Sequence, residues 1–361
     1  MSTKTMADKT ELLGTSEVAE LLRVTKQSVG NWRSRDPNFP APVADLRAGP
    51  VWKKSDIVAW ARSEGIAITE ESSVRHGPPA LFQSAVTVAV VNMKGGVGKS
   101  TITANLGWHF ALKKKGRVLL LDLDPQFNLS QYTLGSERYE EIIKKKKPTV
   151  LDLFEQFSLS PLKRGKTLQT SDLICPVKAW KDGGRLDIVP SRLDLAWSLK
   201  TGYSKKETLA NFVEDIRMGY DLVLIDCPPT ESILTEAAYL ASDFVLVPIK
   251  PEFLSTIGLP LIAKSLEDFR KQHRGHEVDL AGIVFNAVSN NKIENRKSKA
   301  DVVGVAKENG WYVFKNEISY SDSYPKGSRA GTPIFLTDYA RWDRVTEFEQ
   351  LADEFSQRIG L

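Results

Sequence analysis

The run KGGVGKST, from Lys94 to Thr101, constrains the fold of this chain more than any other segment. It follows the apolar run AVTVAVV and precedes ITANLGWHFAL, in which apolar residues recur at helical spacing. A strand, a glycine-rich loop and a helix in this order bind phosphate, because the loop N–H groups and the helix N-terminus face the phosphate oxygens. The segment therefore predicts a nucleotide site in an α/β domain.

Each residue type in this run has its own expected task. The three glycines allow backbone conformations that a Cβ would forbid, so that successive N–H groups can turn toward one anion. Lys99 supplies a point charge on the outer phosphates, and Ser100 supplies a hydroxyl for Mg²⁺. Lys94 stands where an ordinary phosphate loop has glycine, so a second cation opens the same turn.

Two further apolar runs end in acidic residues. RVLLLDLDPQFNLS predicts a buried strand that ends in Asp122 and Asp124, and YDLVLIDCPPT predicts another that ends in Asp226. Ligands of an open parallel sheet lie outside the carboxyl ends of its strands, where these carboxylates can hold Mg²⁺ through water or orient an attacking water. One such aspartate could instead cap the next helix. Capping explains three converging carboxylates poorly.

These motifs resemble those of the ParA/MinD group of deviant Walker P-loop ATPases, and within it the plasmid-type ParA partition proteins. RLDIVPSRLDLA, SDFVLVPIKPEFLSTIGL and EISYSDSYPKGSRAGTPIF match as well, so the resemblance covers about residues 85–361. It implies a doubly wound, mostly parallel α/β ATPase domain that binds ATP and Mg²⁺ and closes as a homodimer. The reaction it implies is the hydrolysis of ATP to ADP and phosphate, slow alone and stimulated by a partner.

The resemblance also implies a role for each site residue. Lys94 would reach the phosphates across the dimer, and Asp124 would position or activate the hydrolytic water. Ser100 would ligate Mg²⁺ directly, with Asp122 and Asp226 behind it through water. The implied ATP contacts are Lys94, Gly95, Gly96, Val97, Gly98, Lys99, Ser100, Thr101, Pro251 and Asn286.

One residue departs from the family pattern. Phe127 stands where the family usually has glycine after Asp-Pro-Gln. The departure concerns the geometry of this first switch segment, while the chemistry of the neighbouring carboxylates is unaffected.

Residues 11–66 read as a separate winged helix-turn-helix domain that resembles the MerR/excisionase-like DNA-binding domains. A helix from Ser16 is followed by a second helix, KQSVGNWRSR, by a hairpin of VADLR with VWKK, and by a third helix that Ser55 would cap. The polar residues 67–84, with a Gly-Pro-Pro break, read as a linker. The residues expected to contact DNA are Lys26, Gln27, Ser28, Asn31, Arg33 and Arg35 on the second helix and Lys53 on the wing.

The charge pattern of this domain supports DNA recognition only in part. The second helix has no acidic residue before Asp36, whereas the first carries Glu17 and Glu20. A cationic, polar helix of this kind suits the major groove. The net charge over residues 11–66 is almost zero, so a protein–protein module of the same fold remains the alternative.

The function implied by the resemblance is ATP-driven DNA segregation, in particular of a plasmid. The ATP-closed dimer would bind DNA without sequence preference, a ParB-class centromere-binding protein would stimulate hydrolysis, and the N-terminal domain would bind its own operator. Cations scattered over residues 292–329 are candidates for the non-specific contacts, with Arg329, in a glycine-containing loop, the best single candidate. The alternatives are an ATP-sensing transcription regulator and a ParA-like ATPase that positions a protein cargo.

The bulk properties are compatible with this interpretation. The chain has 361 residues, 42% of them hydrophobic, and a net charge of +4, which permits nucleic-acid contact without requiring it. No apolar run approaches the ~18 residues of a membrane helix. The C-terminal segment is acidic on its polar face and should pack on the ATPase domain, because membrane-surface helices need cations there. We expect a cytoplasmic, nucleoid-associated protein without a membrane partner.

Overall fold

The structure is a computed structural model that divides into two compact units, Met1–Pro79 and Ala80–Leu361. The predicted linker at 67–84 lies outside the residues that the structure describes. Those residues are 12–22, 26–46, 49–63, 85–155, 168–198, 206–252, 255–273, 276, 278–289, 293–338 and 340–361.

The described part of the N-terminal unit is a three-stranded antiparallel sheet with three helices. The strand order is β1-β3-β2. Its core contains the fully buried Val18, Val29 and Ile57 together with a cluster of aromatic rings. The elements are β1 (Leu12–Gly14), α1 (Thr15–Leu21), α2 (Lys26–Arg35), β2 (Ala44–Leu46), β3 (Gly49–Lys53) and α3 (Lys54–Ser63).

Two details of this unit differ from the sequence prediction. Strand β1 was not predicted, because three residues are too few to show alternation of apolar and polar side chains. Helix α3 begins at Lys54, so Ser55 lies inside its first turn instead of capping it. The Ser55 hydroxyl donates to Asp56 Oδ1 at 3.1 Å.

The described part of the C-terminal unit has a seven-stranded sheet in the order β10-β9-β4-β8-β5-β7-β6. Every neighbouring pair is parallel except β6 with β7. The strands are β4 (Val86–Val90), β5 (Arg117–Asp122), β6 (Cys175–Ala179), β7 (Arg185–Val189), β8 (Leu222–Asp226), β9 (Phe244–Ile249) and β10 (Asp279–Phe285).

Helices cover both faces of this sheet, so alternate residues of a strand enter different cores. Val88 and Val90 of β4 belong to one apolar cluster, whereas Ala89 and Val91 belong to the other. The helices are α4 (Lys99–Lys113), α5 (Asn128–Leu134), α6 (Ser136–Lys144), α7 (Val150–Glu155), α8 (Thr170–Leu173), α9 (Leu195–Ser198), α10 (Lys206–Ile216), α11 (Ile233–Leu240), α12 (Ser255–Gln272), α13 (Ile293–Glu308), α14 (Ser323–Ala330) and α15 (Trp342–Ile359). The result is a mostly parallel α/β sheet with helices on both faces.

The register of the central strands brings the acidic strand ends together. Asp122 at the end of β5 pairs with Asp226 at the end of β8, and Val90 of β4 pairs with the same Asp226. The loop after β4 therefore starts beside Asp226, with Asp122 on the next strand, at the edge of the sheet where α/β proteins bind ligands.

The C-terminal helix α15 packs on this unit. Phe348, Leu351 and Phe355 are buried, and Glu354 accepts hydrogen bonds from Tyr312 Oη at 2.7 Å and from the backbone N of Asn316 at 2.9 Å. The acidic face of α15 is thus engaged with its own domain. None of the helices that the structure describes is long and apolar enough to cross a membrane.

Candidate nucleotide site

The loop between β4 and α4 has the backbone that a phosphate site requires. Gly96 (φ 73°) and Gly98 (φ 94°) lie in the left-handed region that side chains disfavour. A Cβ on Gly98 would stand 2.0 Å from Asn286 Nδ2, so glycine alone fits. Helix α4 begins at Lys99 directly after this turn. The loop amides and the helix N-terminus thus belong to one continuous turn.

The Lys99 side chain is buried against the loop. Its Nζ donates to the carbonyl of Asn92 at 3.1 Å and to that of Lys94 at 3.4 Å. Burial lowers the pKa of Lys99, while the charges of Asp226 and Asp124 oppose that shift. The ammonium is therefore a desolvated charge whose acceptors can be exchanged for phosphate oxygens.

Asp122 and Asp226 differ in how the fold satisfies their carboxylates. Asp122 Oδ2 accepts from Ser130 Oγ at 2.6 Å and from Ser130 N at 2.8 Å, and burial raises the pKa of Asp122 to about 7. Both oxygens of Asp226 are buried and accept no hydrogen bond from the residues that the structure describes, and burial raises the pKa of Asp226 well above its ordinary value. Ser100 lies close enough to lower that pKa, but without hydrogen-bond geometry.

This set of oxygens fits a magnesium ion. A hydroxyl from Ser100 and two carboxylates stand beside the phosphate loop, and the two Asp226 oxygens have no protein donor. Mg²⁺ binds such sites through one or two protein oxygens and keeps several waters. Asp226 in particular needs either a cation or a proton to be stable in this position.

Asp124 faces the loop from the end of β5. It is 6% exposed, and its Oδ1 accepts a hydrogen bond from Gln126 N at 3.0 Å. Burial raises the pKa of Asp124, and the charge of Lys99 partly offsets the shift. A carboxylate in this state accepts protons more readily than an exposed one, as a residue that positions or activates water requires.

A cavity of about 330 Å³ is lined by the phosphate loop, Lys99, Ser100 and Asp124. Sequence reasoning missed several of its lining residues. Asn128, Gln131 and Tyr132 belong to α5, directly after the Asp-Pro-Gln segment, and one turn of helix spacing could have identified them. Ser328 comes from α14, and no local pattern indicates its position. A larger cavity of about 660 Å³ between α11 and α12 has no phosphate-binding loop.

Three other predicted nucleotide residues have defined partners. Lys94 Nζ lies 2.6 Å from Glu252 Oε2. Asn286 Nδ2 donates to the carbonyl of Val97 at 2.7 Å, so this side chain supports the phosphate loop itself. Pro251 is buried just beyond β9. The structure therefore brings all three close to the ends of the central strands, while any contact with a base remains a prediction.

The predicted DNA contacts of the N-terminal unit are described only in part. Arg33 Nη2 donates to both oxygens of Asp45, at 3.0 and 2.9 Å, which ties α2 to strand β2. Lys53 is exposed at the end of β3. The side chains of the remaining α2 residues, Lys26, Gln27, Ser28, Asn31 and Arg35, lie outside the described part of the structure.

The prediction that Arg329 lies in a glycine-containing loop is wrong. Residues Ser323–Ala330 form helix α14, which ends at Gly331 in the left-handed conformation (φ 66°). Pro325 lies in the first turn, where it is tolerated in a helix. Arg329 is exposed, and its neighbour Ser328 lines the phosphate-loop cavity. The candidate cation is thus exposed near the C-terminal end of α14, next in sequence to a residue that lines the cavity.

Known proteins share these features. The sequence profile of the AAA domain family AAA_31 matches residues 85–279. The sporulation initiation inhibitor protein Soj of Bacillus subtilis is 30% identical over 255 residues, which are 70% of this chain and 90% of Soj. An ATP complex of McdA from Cyanothece aligns with a TM-score of 0.61 and 17% identity, over 77% of this chain and 97% of McdA. A putative plasmid partition protein of Borrelia burgdorferi bound to AMPPNP aligns with a TM-score of 0.59 and 20% identity, over 76% of this chain and 99% of the Borrelia protein. At such identities the two structures establish the shared fold.

Proposed function

The chain belongs to the ParA/Soj-type AAA_31 family of P-loop ATPases, and on that premise we propose that it is an ATPase that segregates DNA, in particular a plasmid. Its cofactors are ATP and Mg²⁺. The observation that carries the proposal is the pairing of Asp122 with Asp226 at the mouth of the phosphate loop, beside the buried Lys99. A site that only senses ATP has no need for this set of carboxylates.

The arrangement supplies what phosphoryl transfer to water needs. Catalysis of this reaction consists mainly of positioning and of stabilising charge on the phosphoryl oxygens. Lys99 and the loop amides hold the phosphates, Lys94 adds charge from a second subunit, and Asp124 orients the water that attacks. Ser100, Asp122 and Asp226 would hold Mg²⁺, and the bound ion would supply positive charge against the phosphates. The products are ADP and inorganic phosphate.

Non-specific DNA binding is the second part of the proposal. Exposed cations on α13 and α14 include Arg296, Lys297, Lys326 and Arg329. An ATP-closed homodimer would join two such patches, and each neutralised phosphate releases counterions from DNA. A ParB-class DNA-binding partner would stimulate hydrolysis and thereby release the dimer from the nucleoid.

The N-terminal residues 11–66 are proposed as a winged helix-turn-helix that binds the operator of its own genes, joined through 67–84 to an ATPase domain at 85–361. Helix α2 would enter the major groove, and the β2–β3 hairpin would be the wing. The Arg33–Asp45 pair supports this arrangement because it fixes the helix against the hairpin. The same pair engages Arg33, so its contact with bases requires exchange with Asp45.

A DNA-retention experiment on the full chain tests both parts. Random DNA and the region upstream of the gene are compared with ATP and with ADP across a salt series, and Lys99→Ala is the control for nucleotide binding. ATP should raise retention of random DNA by about tenfold or more and steepen its salt dependence. The upstream region should be preferred in both nucleotide states.

The other outcomes separate the alternatives. Turnover of ATP without any effect of nucleotide on DNA retention would contradict segregation and favour the positioning of a protein cargo. Binding of ATP without turnover would favour an ATP-sensing regulator. Equal retention of upstream and random DNA would contradict autoregulation.

A further inference from the structure

We propose that Phe127 and Tyr139 form a clamp that positions the catalytic carboxylate Asp124 and the metal-side carboxylate Asp122 for hydrolysis. The inference rests on the proposed ATPase function and adds two positioning residues to it. Neither residue contacts the phosphate-loop cavity, and both act through the segment that links β5 to α5.

Phe127 holds an unfavourable backbone conformation. Its φ and ψ are 49° and 29°, in the left-handed region, which is unfavourable for a residue with a Cβ and favourable for glycine. The residue precedes the first turn of α5, and its N–H donates to the carbonyl of Asp124 at 2.8 Å. Side-chain contacts must therefore hold this turn, because the backbone alone would relax away from it.

The Phe127 ring has such a contact. It stacks on the Tyr139 ring of α6 with centroids 5.0 Å apart and an angle of 16° between the planes. Tyr139 is 6% exposed, and its hydroxyl donates to the carbonyl of Ser191 at 3.1 Å. The stack thus joins a strained surface turn to a buried, hydrogen-bonded side chain that cannot easily move.

Further contacts close a ring that includes the carboxylate of Asp122 and the backbone N–H and carbonyl of Asp124. Ser191 N donates to Ser130 Oγ at 2.9 Å, and Ser130 Oγ donates to Asp122 Oδ2 at 2.6 Å. Asp122 Oδ1 in turn accepts from Asp124 N at 3.1 Å. From Phe127 the path runs through Tyr139, Ser191, Ser130, Asp122 and Asp124 back to Phe127.

A closed ring of this kind couples the positions of both carboxylates. If the Phe127 turn relaxes, the carbonyl and side chain of Asp124 move with it, and the Asp122 contact follows. Errors of about 1 Å in the placement of catalytic groups can cost on the order of 100-fold in rate without affecting distant binding contacts. The expected signature is a loss of kcat with ATP affinity retained.

Three substitutions of Phe127 test the clamp. Phe127→Ala keeps the Cβ but loses the stack, so its kcat should fall by about tenfold or more. Phe127→Gly loses the stack but removes the Cβ that makes the left-handed backbone conformation unfavourable. Its kcat should therefore lie between those of Phe127→Ala and the wild type. Phe127→Tyr keeps the ring and should restore kcat to within about twofold. In all three, KM and the Kd for ATP should stay within about threefold of wild type, because the phosphate loop is untouched.

Matched variants on α6 and in the loop after β7 complete the design. The kcat of Tyr139→Leu should fall as far as that of Phe127→Ala. The kcat of Tyr139→Phe should fall less, because this variant keeps the stack and loses only the hydrogen bond to Ser191. Leu193→Ala is the control. Leu193 is 62% exposed and, together with Phe127 and Tyr139, lines a cavity of about 310 Å³, but it does not belong to the ring of contacts. Its kcat should be unchanged.

The outcomes are distinct. If kcat of Phe127→Ala and of Tyr139→Leu stays within about twofold of wild type, the clamp proposal is wrong while the ATPase proposal stands. A parallel fall of kcat, ATP affinity and melting temperature, without rescue by Phe127→Tyr, would indicate a merely structural role and also overturn it. Absence of turnover in the wild-type protein, with its partner and DNA supplied, would instead contradict the proposed function itself.

Discussion

At the scale of single residues, the site keeps Asp226 in a state that the protein alone does not satisfy. Asp122 accepts hydrogen bonds from Ser130 and from the Asp124 backbone, whereas the Asp226 oxygens are buried without a donor. A buried polar group without a partner costs free energy, and the fold tolerates this cost where a ligand later removes it. Mg²⁺ at Asp226 would therefore stabilise the folded protein as well as the bound nucleotide.

The Asp124 carboxylate gives the first prediction at this scale. Asp124→Asn keeps the size and the contact to the Gln126 backbone but removes the negative charge to which we assign the orientation or activation of water. Turnover should fall by about 100-fold or more, and the Kd for ATP should change by less than about threefold, because general-base and positioning effects act on the transition state. Single-turnover hydrolysis and an equilibrium titration with ATP measure the two quantities.

The same variant has an informative opposite outcome. Turnover within a few-fold of wild type would transfer the role to another carboxylate, and Asp122 would be tested next. If ATP affinity fell together with turnover, Asp124 would instead contribute to ground-state binding, contrary to its assigned position beside the water.

At the scale of elements, apolar pattern and strand ends were sufficient to predict that the acidic strand ends meet at one edge of the sheet. The runs that became β4, β5 and β8 are long, apolar and parallel, so the sheet topology alone brings Asp122 and Asp226 together. Contacts between remote segments were not predictable. Asn286 reaches Val97 across 189 residues, and Ser328 lines the cavity from α14, where no periodic signal points to the nucleotide.

The turn at Phe127 shows a second limit of prediction. Glycine in a sequence normally indicates a residue with a left-handed backbone conformation, and this motif contains phenylalanine at that position instead. The conformation depends on a ring in α6 that sequence patterns do not connect to it. The helix α14 was missed for a related reason, since its glycine and proline favour a loop when they are considered without the surrounding packing.

Helix α4 carries a buried histidine that makes stability depend on pH. His109 is 3% exposed, neither ring nitrogen has a hydrogen-bond partner within the described part of the chain, and its Nε2 lies 3.8 Å from Asp353 Oδ1. Burial is the main cause that lowers the pKa of His109 below 6.5, with Asp353 opposing the shift. The unfolded chain therefore binds the proton more readily, and the free energy of unfolding falls as pH falls below that value.

His109→Leu should reduce this dependence. Thermal unfolding of the nucleotide-free proteins at about pH 8 and about pH 5.5 should show a smaller loss of Tm in the variant, by a few degrees at roughly 2–4 °C per kcal/mol. Carboxylates with raised pKa values, such as Asp122, act with the opposite sign in both proteins and cancel in the comparison. An equal loss of Tm in both proteins would show that His109 takes up its proton without cost.

At the scale of the whole molecule, each unit has its own apolar core, so each can carry a separate task. In the proposed cycle, specific DNA recognition belongs to the N-terminal unit and the ATP-dependent change belongs to the C-terminal unit. The link between ATP and the quaternary state then depends on Lys94. In the structure its ammonium is paired with Glu252 of the same chain, 2.6 Å away.

The last prediction concerns competition for Lys94. Its side chain is 29% exposed and that of Glu252 is 52% exposed, and such partly exposed pairs contribute about 0.2–1 kcal/mol. If Lys94 of each subunit must leave Glu252 to reach the phosphates of the other, Glu252→Gln should tighten the ATP-dependent dimer by up to about fivefold for each of the two pairs, roughly 30-fold in all. Lys94→Ala should abolish that dimer while ATP still binds the monomer.

Sedimentation of the full chain with a slowly hydrolysed ATP analogue measures both effects. Glu267→Gln is the matched control, because Glu267 forms a similar exposed pair with Lys271 on α12 and has no assigned role in the site. A normal dimer of Lys94→Ala would confine this lysine to the loop of its own subunit. A weaker dimer of Glu252→Gln would show that Glu252 supports the interface, because a residue that only retains Lys94 in the monomer can oppose association but cannot promote it.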